Sequence, residues 1–193
     1  MGNLTFNEEI HEYRLDGRRL PSVTTILKEM GFIDTTWFTE ESRQRGIIVH
    51  RLCELDDLGS LNPESVDPRL KGYLRAWQKY RDAEDLCFTH IEHRMASSRM
   101  GYAGTCDRVG IDRKGRTVLI DIKTSPEDSG PYIEWQLGAY KCLLREEGLP
   151  HILRLLSIHL EEDGEFRVQE WGHAPQDWMA ILRTYHIRER IKK

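Results

Sequence analysis

The sequence is poor in cysteine, and its few thiols show no pairing pattern. Only four cysteines occur among the 193 residues, and no Cys-x-x-Cys pair is present. Neither a zinc site nor a disulfide framework is therefore expected. The thiols are predicted to be free and buried; they are Cys53, Cys87, Cys106 and Cys142.

Long apolar runs are missing as well. No stretch reaches the roughly 18 to 20 apolar residues that span a bilayer, and the first residues lack the apolar core of a signal peptide. Gly2 follows Met1, but Phe6 stands where a myristoylation pattern requires Ser or Thr. The sequence therefore predicts a cytoplasmic protein without a membrane partner.

An excess of positive charge is also absent. The 28 Lys and Arg residues are outnumbered by 32 Asp and Glu residues, which gives a formal net charge of −4. A domain that binds nucleic acid through its overall charge would be basic, but carboxylates that hold metal ions contribute negative charge of their own. The arginines do cluster, and each cluster fits a nucleic-acid contact or a solvated helix face equally well. The clusters are Arg43, Arg45 and Arg51, and a second one between Arg183 and Lys193.

The order of helix-like and strand-like segments predicts an α/β fold. No internal repeat, low-complexity stretch or linker divides residues 1–193, so one domain is expected. Within it, residues 1–85 form a hairpin and helices, residues 86–171 a core sheet with one helix, and residues 172–193 a C-terminal helix. This order implies a mixed central sheet flanked by helices on both sides. The predicted helices are 23–30, 40–58, 69–85, 132–147 and 174–191, and the predicted strands are 11–15, 18–20, 87–96, 102–111, 116–123, 152–160 and 166–171.

Two of these segments have informative hydrophobic patterns. In the helix over residues 40–58, apolar residues recur with helical spacing and predict a largely apolar, packed face. They are Ile47, Ile48, Leu52, Leu55 and Leu58. In the strand over residues 116–123, the nearly continuous run from Val118 to Ile122 is typical of a strand that is buried on both faces.

Two aspartates and a lysine lie at the end of this strand and on the strand before it. Asp107 belongs to the segment 102–111, whereas Asp121 and Lys123 end the segment 116–123. Because residues 112–115 form a tight turn, the hairpin can bring both aspartates side by side, and converging carboxylates make a hard oxygen site of the kind that Mg²⁺ prefers. Side chains alternate along a strand, so Lys123 points to the same face as Asp121 and can orient water beside a metal ion. The alternative is a surface hairpin with ordinary charged residues.

These residues resemble the PD-(D/E)XK nuclease superfamily, in which a strand aspartate is followed by a hairpin and an Asp-x-Lys sequence. The matching motifs are Gly104 to Asp107 and Asp121 to Thr124. More specifically, they resemble the branch that includes RecB-type nucleases, their CRISPR-associated relatives and many phage exonucleases. The resemblance implies a restriction-endonuclease-like α/β core with an N-terminal helical addition.

Three further motifs are similar to this branch. Arg45 to His50 resembles the helix that supplies a histidine metal ligand, and Glu92 stands where the branch often has a glutamate near the metal. Gln136 and Tyr140 match its Gln-x-x-x-Tyr motif. Each motif alone has an ordinary alternative, namely a structural histidine, an exposed strand face, and a surface glutamine with a core tyrosine. Glu54, one turn after the histidine, either holds the imidazole or is a solvated charge.

The resemblance implies roles for the residues of these motifs. A divalent ion would be bound by His50, Asp107, Asp121 and the carbonyl of Ile122. Lys123 would position or activate the attacking water, and Glu92 would complete the site or hold a second ion. The substrate would be contacted by Gln136, Tyr140, Arg43, Arg45 and Thr124. Trp37 and Phe38 would either stack unpaired bases or pack in the core.

The implied reaction is hydrolysis of phosphodiester bonds in DNA, by an exonuclease of recombination, repair or phage DNA processing in a bacterial or phage-infected cytoplasm. Mg²⁺ is the expected ion and Mn²⁺ a substitute, since imidazole favours later transition metals. No iron–sulfur cluster is expected, because no cysteine follows Cys142. DNA is the expected partner, with a recombination or single-strand-binding protein as a second candidate. The alternatives are a structure-selective or restriction-type endonuclease with the same site, and a non-catalytic DNA-binding or assembly module.

Overall fold

A computed structural model describes residues 2–34, 39–125, 130–149, 151–172 and 174–192 of the chain. It confirms each predicted helix and strand, with ends that differ by at most two residues, and adds a first strand that the sequence pattern did not indicate. The helices are α1 (Val23–Glu29), α2 (Glu40–Asp57), α3 (Lys71–Glu84), α4 (Tyr132–Glu146) and α5 (Ala174–Ile191). The strands are β1 (Leu4–Asn7), β2 (Glu12–Leu15), β3 (Arg18–Leu20), β4 (Cys87–Ser97), β5 (Tyr102–Ile111), β6 (Thr117–Lys123), β7 (Arg154–Leu160) and β8 (Phe166–Trp171).

The strands form two sheets. The larger has five strands in the order β4-β5-β6-β7-β8, in which only β6 and β7 are parallel. Parallel neighbours need a crossover, which α4 supplies, so the predicted mixed sheet is confirmed. The smaller sheet, in the order β1-β2-β3, turns at Asp16 and Gly17 with φ of 50° and 77°. Left-handed backbone at two adjacent residues is what a tight hairpin turn requires.

Helices cover the five-stranded sheet on both faces, as the element order predicted. On one face, α1, α4 and α5 pack over β5 and β6 through a cluster that contains Leu119, Leu137 and Trp178. On the other, α2 and α3 pack through a cluster that contains Trp77 and Ile120. The central strand β6 therefore has apolar neighbours on both sides, in agreement with its continuous apolar run. Among the described residues, no helix has the length and apolar character needed to cross a bilayer.

The prediction that α2 has a largely apolar, packed face is wrong. Ile47, Ile48 and Leu58 are 53%, 45% and 55% exposed, and the buried residues of this helix are Val49 and Cys53. Val49 and Cys53 pack with residues of the sheet and of α3, while Asp56 and Asp57 at the end of the helix pair with Arg81 of α3. Periodicity alone does not show which side of such a helix meets the core.

The prediction that all four thiols are buried also needs correction. All four cysteines are free; Cys53 and Cys106 are buried, and Cys142 is half-buried. Cys87 is exposed because it begins β4, which lies at the edge of the sheet.

The turn between β5 and β6 is closed by Asp112. Its Oδ1 accepts hydrogen bonds from the backbone N–H groups of Lys114 and Arg116, and its Oδ2 pairs with the guanidinium groups of Arg116 and Arg154. This buried carboxylate fixes the residue at which β6 begins. It thereby fixes the register of the hairpin, which determines which residues of β5 and β6 lie side by side at the ends away from the turn.

Candidate active site

The hairpin of β5 and β6 brings Asp107 and Asp121 together. Its register pairs Arg108 with Ile120, so the two aspartates follow at the next position on neighbouring strands. Both aspartates are buried. The Oδ2 atom of Asp107 accepts a hydrogen bond from the backbone N–H of Ile122 at 2.6 Å, which ties one carboxylate to the strand that carries the other.

Helix α2 places His50 across the end of β6. The Nε2 atom of His50 donates to the carbonyl oxygen of Ile122 at 3.0 Å, and Nδ1 lies 3.6 Å from Oδ1 of Asp107. A carbonyl oxygen only accepts, so Nε2 carries the proton in this arrangement. Glu54 does not orient this ring; its carboxylate pairs with Arg51 at 2.6 Å.

Glu92 approaches the same place from β4 in an unusual backbone conformation. Its φ is 47°, a left-handed value that is uncommon for a residue other than glycine and that collects at functional sites. Burial raises the pKa of Glu92 to about 7, with a further contribution from the nearby charge of Asp107. The side chain therefore lies where a carboxylate is costly unless a cation offsets it.

His50, Glu92 and Asp107, called here the ligand group, each offer one ligand atom, and these atoms lie within 4.8 Å of one another. Two carboxylates and one imidazole are a donor set that suits Mg²⁺ and, more strongly, Mn²⁺. A divalent ion would also stabilise the charged form of Glu92 against burial and against the nearby charge of Asp107, the two causes of its raised pKa. The residues that are present thus fit the metal ion that the sequence motifs imply.

Asp121 stands beside the ligand group in a buried ion pair with Lys123. The Nζ atom of Lys123 lies 2.6 Å from Oδ2 of Asp121, and the two side chains are 19% and 3% exposed. Burial raises the pKa of Asp121, and the ammonium group opposes that effect. Burial also lowers the pKa of Lys123, but the Asp121 charge outweighs it and the net pKa rises to about 12, so the lysine is charged at neutral pH.

Gln136 and Tyr140 lie on α4 and are buried beneath Asp121. The amide of Gln136 donates to Oδ1 of Asp121 at 3.0 Å and to the hydroxyl of Tyr140 at 3.1 Å. Both oxygens of Asp121 are thereby engaged, one by the lysine and one by the amide. This burial favours a role in orienting the aspartate, and direct contact of either side chain with substrate stays a prediction.

The predicted substrate-binding arginines differ in their position. The Nη2 atom of Arg45 donates weakly, at 3.4 Å, to the backbone carbonyl of Thr124, and its guanidinium lies over the ring of Tyr73 at 5.8 Å. The buried Nε atom of Arg45 has no hydrogen-bond partner in the described part of the chain. Arg43, by contrast, is exposed and pairs with Glu40, away from the ligand group. Trp37 and Phe38 lie outside the described residues.

Comparison with known proteins agrees with this geometry. The sequence matches the family model of the PD-(D/E)XK nuclease superfamily over residues 63–186. The chain belongs to this superfamily. A comparison with curated protein sequences gave no match.

Among solved structures, a candidate exonuclease from Eubacterium rectale is 14% identical to this protein, with a TM-score of 0.51 over 89% of this chain and 74% of that chain. The protein SSO0001 is 17% identical, with a TM-score of 0.39 over 89% of this chain and 84% of that chain. At such identities, the likeness to the first protein supports the fold alone.

One buried residue next to the candidate active site was not identified from the sequence. Arg108, directly after Asp107, is fully buried and pairs with Asp57 at 2.7 Å and with Glu92 at 2.9 Å. The available signal was a second charged residue, directly after Asp107, in a strand that is otherwise mostly apolar. Arginine is almost never fully buried unless it is paired. The sequence did not indicate its partners, which lie on α2 and β4.

Proposed function

We propose that this chain is a divalent-metal-dependent deoxyribonuclease whose active site consists of the ligand group together with Asp121 and Lys123. The observation that carries the proposal is the convergence of one imidazole and two carboxylates beside a buried lysine–aspartate pair, at the end of a central strand. Membership of a nuclease superfamily makes nucleic acid the substrate class.

The ion would be held by His50, Glu92 and Asp107, with the carbonyl of Ile122 as a further ligand. Asp121 joins them in this proposal, because a divalent ion competes with Lys123 for its buried Oδ2 atom. The hydrogen bond between His50 and the Ile122 carbonyl supports a shared ligand role, since a cation can replace the proton that now lies between them. When bound, Mg²⁺ or Mn²⁺ supplies Lewis-acid charge at the scissile phosphate and lowers the pKa of water.

The remaining side chains act around that ion. The ammonium of Lys123, buried and charged, is suited to orient the attacking water or to offset charge that develops on the phosphate. Gln136 keeps the Asp121 carboxylate in place through its hydrogen bond. Arg45 is suited to bind a phosphate next to the site, because its Nε donor is not satisfied within the described part of the chain.

The metal requirement is tested by incubating end-labelled linear DNA with the protein in excess chelator, and then with Mg²⁺ or Mn²⁺ restored. Cleavage should stop in chelator and return with either ion. A parallel sample of RNA with the same sequence tests the choice of DNA. Full activity in chelator would reject the metal mechanism, and no cleavage of either polymer under any condition would favour the non-catalytic binding module.

We further propose that cleavage starts at a free DNA end, as in an exonuclease of DNA recombination, repair or phage DNA processing. Helix α2 lies across the end of β6, where His50 and Arg45 contact Ile122 and Thr124, which restricts access to the site from that side. The Eubacterium rectale protein named as a candidate exonuclease shares the fold. The test compares a covalently closed single-stranded circle with its linear form. Equal digestion of both would assign an endonuclease and leave the metal site unchanged.

A further inference from the structure

A single buried arginine contacts every element that carries the ligand group. The Nη1 atom of Arg108 donates to Oε1 of Glu92 at 2.9 Å and to the backbone carbonyl of Asp107 at 2.6 Å. Its Nε atom donates to Oδ2 of Asp57 at 2.7 Å. Asp57 is the last residue of α2, the helix that bears His50. One guanidinium group therefore links β4, β5 and α2 directly behind the site.

The arginine is itself fixed from the side remote from the ligand group. Asp57 accepts hydrogen bonds from Nε1 of Trp77 at 2.9 Å and from Nη1 of Arg81 at 2.9 Å, both on α3. The Arg108 guanidinium also lies over the rings of Trp77 and Phe88, at 5.6 and 5.9 Å. A planar fork of donors can make these contacts simultaneously, whereas a lysine ammonium group cannot.

Glu92 depends on this contact more than an ordinary strand residue would. Its left-handed backbone conformation is unfavourable for a residue with a side chain, and such conformations persist only where surrounding contacts hold them. Its carboxylate also lies close to the like charge of Asp107. The bond from Arg108 fixes the rotation of the carboxylate and supplies an opposite charge.

We propose that Arg108 is a positioning residue of the candidate active site. It holds Glu92 in its left-handed conformation and in the orientation in which the carboxylate completes the ligand group, with Asp57 as its anchor. The inference rests on the proposed function, because it gives Glu92 a role in metal binding. Arg108 is fully buried, so its role in this proposal is exerted through Glu92 and not through contact with metal or DNA.

The test is the affinity of the metal-stripped protein for Mn²⁺, measured by titration calorimetry without DNA. The variants are Arg108→Lys, Glu92→Gln and the double variant. Because residues that orient metal ligands contribute roughly 10- to 100-fold to affinity, each single variant should bind Mn²⁺ about tenfold more weakly or worse. Because Arg108 acts through Glu92, the double variant should bind within about threefold of the weaker single variant. Unchanged affinity in Arg108→Lys, or fully additive losses, would overturn the proposal.

Arg154→Lys is the matched control. Arg154 is 13% exposed and pairs with Asp112 and Glu170, but it begins β7 at the opposite end of the sheet from the ligand group. This variant should lose thermal stability and keep the affinity for Mn²⁺. An equal loss of affinity in both arginine variants would show a general effect of destabilisation and would overturn the proposal.

If Arg108→Lys does not fold, Asp57→Asn is the alternative variant. Asparagine keeps a hydrogen-bond acceptor but removes the negative charge that anchors Arg108. This variant too should weaken Mn²⁺ binding only where Glu92 is present, and unchanged affinity would contradict the inference. Failure of the proposed function is a separate result, in which the wild-type chain neither binds Mn²⁺ nor cleaves DNA. A wild-type chain that does both, beside an unaffected Arg108→Lys variant, rejects the positioning role alone.

Discussion

Replacing Lys123 by methionine tests the buried ion pair on which the proposed chemistry depends. The Nζ atom lies 2.6 Å from Oδ2 of Asp121, and the two side chains are 19% and 3% exposed. Methionine keeps most of the apolar stem and removes the charge. Asp121 is then left with the neutral amide of Gln136 as its remaining side-chain partner among those described above.

The expected loss of stability follows from that burial. Removing one partner of a buried ion pair typically costs about 3–5 kcal/mol, because the other charge stays desolvated and uncompensated. Asp121 can take up a proton, since burial already raises its pKa, and this limits the cost. We therefore expect Lys123→Met to lower the free energy of unfolding by about 3 kcal/mol in chelator at neutral pH. For a chain of this size, that corresponds to a fall in Tm of roughly 6–12 °C.

Bound Mn²⁺ should offset part of this loss of stability. A divalent ion that binds Asp121 supplies the positive charge that the variant lacks, so Mn²⁺ should raise the Tm of Lys123→Met at least as much as that of the wild type. Cleavage should nevertheless stay at least about a hundredfold lower, roughly 3 kcal/mol of transition-state stabilisation, because the ion does not replace the lysine at the phosphate.

The assay is thermal unfolding in chelator and in Mn²⁺, followed by initial rates of DNA cleavage. Lys79→Met is the control, because Lys79 pairs with Glu165 at the same 2.6 Å while both side chains are more than half exposed. Exposed pairs contribute about 0–1 kcal/mol, so its Tm should hardly move. Equal Tm values for Lys123→Met and the wild type in chelator, together with cleavage within a few-fold, would refute the reasoning.

Three other substitutions, the last with a control variant, test the residues that support the site and the fold. Gln136→Leu removes the buried donor to Asp121, and should cost about 2 kcal/mol in denaturant unfolding and reduce the cleavage rate, whereas an unchanged rate would exclude its orienting role. Burial raises the pKa of Asp112, but hydrogen bonds from backbone and arginine donors outweigh it and hold the pKa well below 3.8. A group whose pKa is lower in the folded state stabilises the fold at pH values above its unfolded-state pKa. This stabilisation is lost as the pH falls toward the folded-state pKa. Asp112→Asn should therefore cost about 2 kcal/mol near neutral pH, and the difference in unfolding free energy should shrink below pH 3.8. Gly72→Ala would set a Cβ atom 1.6 Å from a backbone oxygen of the β7–β8 turn, so it should destabilise by about 3 kcal/mol. Gly130→Ala, whose added Cβ atom would have no atom of the described residues within 4 Å, should stay near wild type.

Much of the fold was predictable because its signals are local. The tight turn over residues 112–115 and the apolar run from Val118 to Ile122 each depend on residues a few positions apart, and both are confirmed. The face of α2 was not predictable in this way. Ile47 and Ile48 have the spacing of a packed face, yet both side chains are exposed among the residues that the structure describes, and only the arrangement of the neighbouring elements decides this.

The candidate active site likewise has contacts that the sequence predicted and contacts that it did not. The sequence by itself determined that Asp107, Asp121 and Lys123 meet, because a tight turn and a period of two fix neighbouring strand positions. Residue spacing does not bring His50 to the Ile122 carbonyl, 72 positions along the chain; the family resemblance implied that they share an ion, and the tertiary structure brings them within 3.0 Å. The tertiary structure alone decided that Arg108 reaches Asp57, 51 positions away. Contacts of that range depend on how separate elements pack, and each buried charge requires a partner wherever the fold brings one close.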